Sequence, residues 1–322
     1  MSLPRPPLDP DLNAAHAKFR GPGLVPAENL AKRRTGSVLT WSILSKGVED
    51  KISHTEVEIP GPVSPITASI LRSKKPEHGS QSANERIGIL HFHGGGHCMA
   101  NRFHGLNVLF DAIEKLNAVV ISTEYRLTPE NPQPAQVEDC YAAFQWVSEH
   151  ASEPQLGFNP AKLVICGGSA GGNLTAGVTL LARDRSGPPI LGQLLFYPWL
   201  DDTNASVSLT QYGDIKPWTQ EDNAHALDFA LGKNRENASI YTVPARATDL
   251  SGLPPTYIDV GEADVFREED VRFAMTLWNS GVSTELHVWP GAWHGFDTFA
   301  IEAEVSQRAI RARLEWLQRL VR

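Results

Sequence analysis

Cysteine is scarce in this chain, and that scarcity removes several classes of protein. The three thiols among 322 residues, Cys98, Cys140 and Cys166, are an odd number, and no two stand at the C-x-x-C spacing of a zinc or redox pair. A disulfide framework is therefore excluded. A surplus of basic charge is also missing, since 29 Lys and Arg stand against 37 Asp and Glu, a formal net charge of -8. Nucleic acid binding needs a cationic surface that displaces counterions, so no polyanionic partner is expected and a neutral or modestly polar small molecule fits better. No apolar run is long enough to cross a bilayer, which argues against stable membrane insertion. The opening MSLPRPPLDPDL has prolines where a signal peptide carries its apolar stretch, so the expectation is a cytoplasmic protein with reduced thiols. Repeats, low-complexity tracts and long blocks of like charge are absent as well, which excludes a solenoid and a disordered tail.

What the sequence does contain, from about residue 52 onward, is an alternation of strand and helix patterns. The segments ISHTEVEI, ITASILR, IGILHFH, AVVISTE, KLVICG, QLLFYPW, PTYIDV and TELHVW read as strands. Several are continuous apolar runs, as a sheet covered on both faces requires. In the last helical stretch Ile310, Leu314, Leu317 and Val321 form one apolar stripe, with Arg308, Arg311 and Arg319 on the solvated side. The expected fold class is α/β, with a mostly parallel central sheet of about eight strands flanked by helices. Residues 1–50 and 200–250 break the alternation, the first with LNAAHAKFR and AENLAKRRTGSVLTWSIL, the second with EDNAHALDFALG. Both read as helical additions that cap a core made of 51–199 and 251–322, because an insertion after a sheet strand lies at the carboxyl edge where open α/β sheets bind ligands. TELHVW, if it lies at a sheet edge, offers a surface for a homodimer.

The densest signal is LVICGGSAGGNL, which sets four glycines within six positions around Ser169. A dinucleotide fingerprint would need glycine at 169, and a phosphate loop would need lysine at 173, where Asn173 stands. The remaining reading is the nucleophile elbow G-x-S-x-G, a sharp strand-to-helix turn that exposes a serine hydroxyl at the sheet edge. Upstream, LHFHGGGHCM places Gly94, Gly95 and Gly96 after a strand, where hydrolases build an oxyanion hole. The backbone N–H groups of Gly94, Gly95 and Ala170 are the expected donors, with His93 fixing the loop. Metal binding by His91, His93, His97 and Cys98 is the weaker reading, because no carboxylate pattern completes a catalytic zinc site. No metal and no cofactor is expected.

A serine needs a histidine to take its proton and a carboxylate to orient that histidine. In the chain order of this fold the histidine comes last, and His294, in the glycine-flanked loop of PGAWHGFD, is preferred to His287 inside a strand. Among the acids between them, Asp259 lies in a strand, and Glu268, Glu269 and Asp270 fall in the first turns of a helix. Glu262 and Asp264 remain, and spacing does not separate them.

HFHGGG, EYRLTPENPQPA, GGSAGGNL, DVFREE and WHGF, in that order, resemble the hormone-sensitive-lipase-like carboxylesterases of the α/β-hydrolase superfamily, over roughly residues 87–322. The resemblance implies that the acid opens a D-P-L-R-D-E-like motif and so falls on Asp264, and that a helical cap forms from the N-terminus and the insertion after the sixth strand. Two positions depart from the pattern. Gly168 stands where an Asp is common, and Val265 replaces the motif proline. The expected function is hydrolysis of small carboxylic esters, short-chain or aryl, by a Ser169–His294–Asp264 triad through an acyl-enzyme. Trp199, Trp218 and Tyr212 are expected around the pocket. The alternatives are an amidohydrolase such as an arylformamidase, and a non-catalytic small-molecule receptor like the plant gibberellin receptors of the same group, which lack the histidine.

Overall fold

The computed structural model describes residues 3–19, 23–24, 27–75 and 82–322. Arg20, the last residue of one stretch expected to be helical, lies outside them. Eight strands are present among the described residues, one on each expected segment: β1 Ile52–Ile59, β2 Ile66–Ser73, β3 Gly88–Phe92, β4 Val119–Thr123, β5 Leu163–Gly168, β6 Gly192–Phe196, β7 Thr256–Gly261 and β8 Thr284–Trp289. The helices are α1 Pro10–His16, α2 Ala27–Ser37, α3 Trp41–Leu44, α4 Phe110–Leu116, α5 Ala135–Glu149, α6 Ala170–Asp184, α7 Val207–Tyr212, α8 Gln220–Leu231, α9 Arg267–Asn279, α10 Phe296–Phe299 and α11 Glu304–Leu320. All strands join one sheet in the order β1-β2-β4-β3-β5-β6-β7-β8. The pairs β1–β2 and β2–β4 are antiparallel, and the rest are parallel.

Burial explains why the central strands read as unbroken apolar runs. β3, β4, β6 and β7 are buried along their whole length, and β5 along all but its last residue. One face, with Ile89, Val120, Val164 and Leu194, packs on Ile113 of α4 and Leu314 and Leu317 of α11. The other, with Leu90, Ile121 and Ile165, packs on Phe144 of α5 and Leu174 and Val178 of α6. β8 is an edge strand and is only partly covered. The parallel part of the sheet grows outward from β3 in both directions, towards β4 on one side and β5 on the other. That reversal makes a crevice beyond the carboxyl ends of β3 and β5, the usual ligand position in such sheets.

The two segments outside the alternation are bound to each other. Arg5 pairs with Asp214 at 2.5 Å, Gln211 Nε2 donates to Pro4 O at 2.6 Å, and Arg33 pairs with Asp222 at 2.7 Å. Their apolar residues, Leu24 and Leu30 from one and Leu209, Trp218 and Leu227 from the other, share a cluster with Phe266 at the start of α9. α2 is also fixed to the core, where Arg34 Nε donates to Cys98 O at 2.7 Å.

The inner face of α11 carries a cation as well as its apolar stripe. Arg313 is buried and grips Asp259 of β7 through Nε at 2.8 Å and Nη2 at 2.9 Å, while Nη1 donates to Asp297 of α10. Tyr197 donates its hydroxyl to the same Asp297 at 2.9 Å. One guanidinium thus serves two buried carboxylates, and its removal leaves both without a counter-charge. Arg313→Met is expected to cost about 3–5 kcal/mol, read as a lower urea midpoint at unchanged slope. An unchanged midpoint would show that the cluster contributes nothing to stability.

Candidate active site

At the end of β5 the chain turns so sharply that larger residues are excluded. A Cβ on Gly171 would lie 2.0 Å from Phe92 O, and one on Gly167 would lie 2.4 Å from Gly171 C. Strand β5 and helix α6 therefore cross beside the end of β3 with backbone against backbone. Ser169 sits between them at φ 58°, ψ -121°, a conformation that L-residues rarely hold. The surroundings enforce it. Ser169 N donates to Phe196 O at 2.9 Å, and Ser169 O accepts from Asn173 N at 3.0 Å and Trp199 N at 3.1 Å. Its side chain emerges at the N-terminus of α6, over the crevice between β3 and β5.

His294 and Asp264 reach the same point from the loops after β8 and β7. His294 Nε2 lies 3.0 Å from Ser169 Oγ, and His294 Nδ1 lies 2.9 Å from Asp264 Oδ2. Asp264 is fully buried, and its other oxygen accepts from Phe266 N at 3.0 Å. The imidazole is held edge-on between the rings of Tyr197 and Phe266, each with its centroid 5.0 Å away. Ala263 N donates to Ala292 O at 2.9 Å, which ties the acid loop to the histidine loop. Glu262, the other carboxylate left open by spacing, turns to Gly291 N at 3.0 Å. His287 stays on β8, bonded to Glu285 at 2.9 Å.

The glycine-rich loop after β3 borders the same crevice. Gly94 and Gly95 line it, and the position where Gly94 would carry a Cβ is 3.6 Å from Ser169 Cβ. Gly95 has φ 107°, and a Cβ there would strike Met99 O at 2.2 Å. Ala170, the first residue of α6, is buried beside the serine. His93 Nδ1 donates to Gly94 O at 2.7 Å, its ring stacks on Tyr125 at 4.1 Å, and Tyr125 donates to His93 O at 2.7 Å. The loop is thus fixed from behind. Gly96 has a different reason to lack a side chain: a Cβ there would lie 2.2 Å from Trp218 of the 200–250 segment. Among the described residues no three His, Cys, Asp or Glu side chains converge as a metal-holding group.

These walls enclose a cavity of about 660 Å³, within the usual range for small-molecule sites. Ser169, His294, Gly94 and Gly95 line it, as do Phe19, Leu39 and Trp218. Of the three aromatics expected around the pocket, only Trp218 lines it. Trp199 is packed behind, between His97 and Phe266, and Tyr212 is buried against the N-terminal segment through Pro6 O. Both were expected there because they are large and lie in or beside the 200–250 segment, and neither size nor that position separates a cavity wall from packing. Tyr197 and Phe299, which sequence reasoning passed over, do line the cavity. At Gly168, an added Cβ would press on Tyr197 Cε2 at 3.1 Å.

Residues 89–298 match the family model described as alpha/beta hydrolase fold. The chain belongs to this family, among its hormone-sensitive-lipase-like carboxylesterases. Carboxylesterase NlhH of Mycobacterium tuberculosis (strain CDC 1551 / Oshkosh) is 35% identical over 248 residues, covering 72% of this chain and 73% of its own. Esterase LipI of Mycobacterium tuberculosis (strain ATCC 25618 / H37Rv) is 32% identical over 254 residues, covering 79% and 78%. Among solved structures, a bacterial heroin esterase superposes with a TM-score of 0.88 at 32% identity, covering 98% of each chain. No described helix of this carboxylesterase is long and apolar enough to cross a membrane.

Behind the acid of the site lies a second carboxyl. Asp270 is fully buried at the start of α9, and neither of its oxygens has a hydrogen-bond partner among the described residues. Burial, and then the charges of Glu269, Asp264 and Asp259, hold its carboxyl well above the usual range. The folded state therefore keeps a proton that the unfolded chain releases in the ordinary carboxylate range. Stability falls as pH rises from that range towards the folded value. Asp270→Asn cannot ionise, so it is expected to raise stability relative to the parent at about pH 8 and to do so less at about pH 4. Urea melts at the two pH values measure the difference, and an equal shift at both would sink the argument.

Proposed function

We propose that this carboxylesterase cleaves small carboxylic esters by attack of Ser169 Oγ, with His294 as general base and then acid and Asp264 as its orienting carboxylate. The observation that carries the reading is the hydrogen-bonded line from Ser169 Oγ to His294 Nε2 at 3.0 Å and from His294 Nδ1 to Asp264 at 2.9 Å. Nδ1 donates to the carboxylate, which leaves the Nε2 lone pair facing the hydroxyl. The serine proton passes to Nε2 as the oxygen attacks the ester carbonyl. The imidazolium so formed is stabilised by Asp264 and gives the proton to the departing alcohol. Water then repeats the sequence on the acyl-enzyme. The N–H groups of Gly94, Gly95 and Ala170 receive the developing oxyanion, and losing one such donor costs about 3 kcal/mol of barrier.

In this reading residues 1–50 and 200–250 act as the cap over a catalytic core of 51–199 and 251–322. Both cap segments line the cavity, through residues such as Leu39 and Trp218. The substrates proposed are short-chain or aryl esters, because Trp218 against Gly96 closes the covering wall directly over the loop that borders the serine. The structural neighbour named as a heroin esterase supports a site of this kind.

Turnover of phenyl acetate is the direct test. Ser169→Ala is expected to lower kcat by about 10⁶-fold, and Asp264→Asn, which stabilises the wrong tautomer, by about 10⁴-fold. A Ser169→Ala protein as active as its parent would end the proposal. Comparison of phenyl esters with formanilides separates ester from amide specificity. Rates over increasing acyl length are expected to fall beyond short chains, and a maximum at the longest chain would refute the size argument.

A further inference from the structure

The cavity wall holds a second imidazole that the proposed chemistry does not use. His91, near the end of β3, is only 2% exposed, yet it lines the cavity. Its nitrogens have different surroundings. Nδ1 lies 2.8 Å from Ser122 Oγ, and the Ser122 hydroxyl donates its one proton to Arg102 O at 2.6 Å. Ser122 Oγ can only accept from the ring, so the proton of His91 is on Nδ1 and Nε2 carries a lone pair. Burial, with the neighbouring His93 and His104, pushes the imidazole down to about 3, so the ring stays neutral at ordinary pH.

The lone pair has no protein partner among the described residues. Nε2 points towards Gly105, itself part of the cavity wall, where an added Cβ would lie 3.7 Å away. Gly105 has φ 81° and no side chain to cover the nitrogen. The wall is continuous with the reaction centre: the Cβ position of Gly94 is 3.6 Å from Ser169 Cβ and 3.7 Å from His104 Cδ2, and His104 adjoins Gly105. Nε2 is open to the cavity and not sealed in packing, so a donor entering the cavity can reach it, whereas a phenylalanine at this position would offer no acceptor.

We propose that His91 Nε2 is a specificity-determining acceptor for a substrate hydroxyl or N–H, held in one tautomer by Ser122, so that esters carrying such a donor are preferred. The proposal rests on the esterase reading above. The donor could stand on the acyl chain or on the alcohol, and the wall geometry is common to both.

The test compares hydroxyl, methyl and methoxy groups at matched positions in two series: aryl butyrates substituted at carbon 2 or 3 and aryl hexanoates substituted at carbon 6, and butyrate monoesters of short diols. At one position of one series the hydroxyl is expected to be favoured in kcat/KM about five-fold over both methyl and methoxy. Methoxy can accept but cannot donate, so it reports the direction of the bond. In Ser122→Ala the tautomer is released, and the preference of hydroxyl over methoxy is expected to shrink to less than about two-fold. In His91→Phe it is expected to vanish. Each ratio is measured within one protein preparation, so the folded fraction cancels. Equal rates for hydroxyl and methoxy, flat ratios in both series, or a preference that survives His91→Phe would each overturn the proposal while plain ester turnover leaves the esterase reading standing. Absence of turnover with every ester would overturn both.

Discussion

Between the carbonyl of Phe92 and the α-carbon of Gly171 there is no room for a methyl group, and the proposed active site is arranged around that contact. Because β3 and β5 are parallel neighbours, with Phe92 paired to Gly167, the two chains leave the sheet at the same level and side by side. The chain after β5 must turn at once into α6, and glycine at 167 and 171 lets it do so against the end of β3. Ser169 occupies the only position of that turn with a functional side chain, and its positive φ aims the hydroxyl into the crevice instead of along the strand. The same closeness puts the loop of Gly94 and Gly95 beside the serine. A sheet with β3 and β5 apart would separate Ser169 from Gly94 and Gly95, whatever their residue types.

The histidine and its acid are held by a different set of forces. The loops after β7 and β8 are joined by Ala263 N and Ala292 O, and a Cβ on Gly261 would lie 2.1 Å from that same Ala292 O. The site is also supported from beneath by charge. Arg313 links Asp259 in β7 to Asp297 in α10, and Asp297 holds the hydroxyl of Tyr197, whose ring bears on the edge of His294. Tyr197 has φ 37°, so its place too is enforced by partners and not by backbone preference. The imidazole is thereby confined between two rings, one of them anchored through a buried ion cluster on the last helix. Such clusters contribute to geometry more clearly than to net stability, since replacing all their members by apolar residues can be neutral.

Much of this was legible in the sequence, because the strongest constraints leave marks on residue type. Strand patterns, several of them continuous apolar runs, identified all eight strands, and the glycines of GGSAGG marked a close approach. Glu262 and Asp264 could not be separated by spacing, since both lie in one short loop and only the direction of each side chain distinguishes them. Arg313 is the arginine of α11 that does not share the solvated side with Arg308, Arg311 and Arg319. It falls three residues after Ile310 and one before Leu314, on the apolar stripe, and a lone cation in that position is a signal of a buried partner. The aromatics were misplaced for a related reason. Trp199 and Tyr212 are large and lie in or beside the same segment as Trp218, but pattern gives burial without saying whether a ring faces a cavity or another ring. Gly96 carried its signal in plain view, yet its counterpart, Trp218, lies more than a hundred residues away.

Gly168 shows how a departure from an expected motif acquires a physical meaning. Where the resemblance leads one to expect Asp, any side chain must begin 3.1 Å from Cε2 of Tyr197. That ring is not free to withdraw, because its hydroxyl is bonded to Asp297 and its backbone N donates to Asp259 O. A larger residue at 168 would therefore push towards the group that confines His294, and the displacement would be felt at His294 before it was felt at Ser169. Glycine removes that pressure and leaves the ring of Tyr197 against the end of β5. The residue beside the serine is thus coupled to the histidine through packing alone, with no charge or hydrogen bond between them.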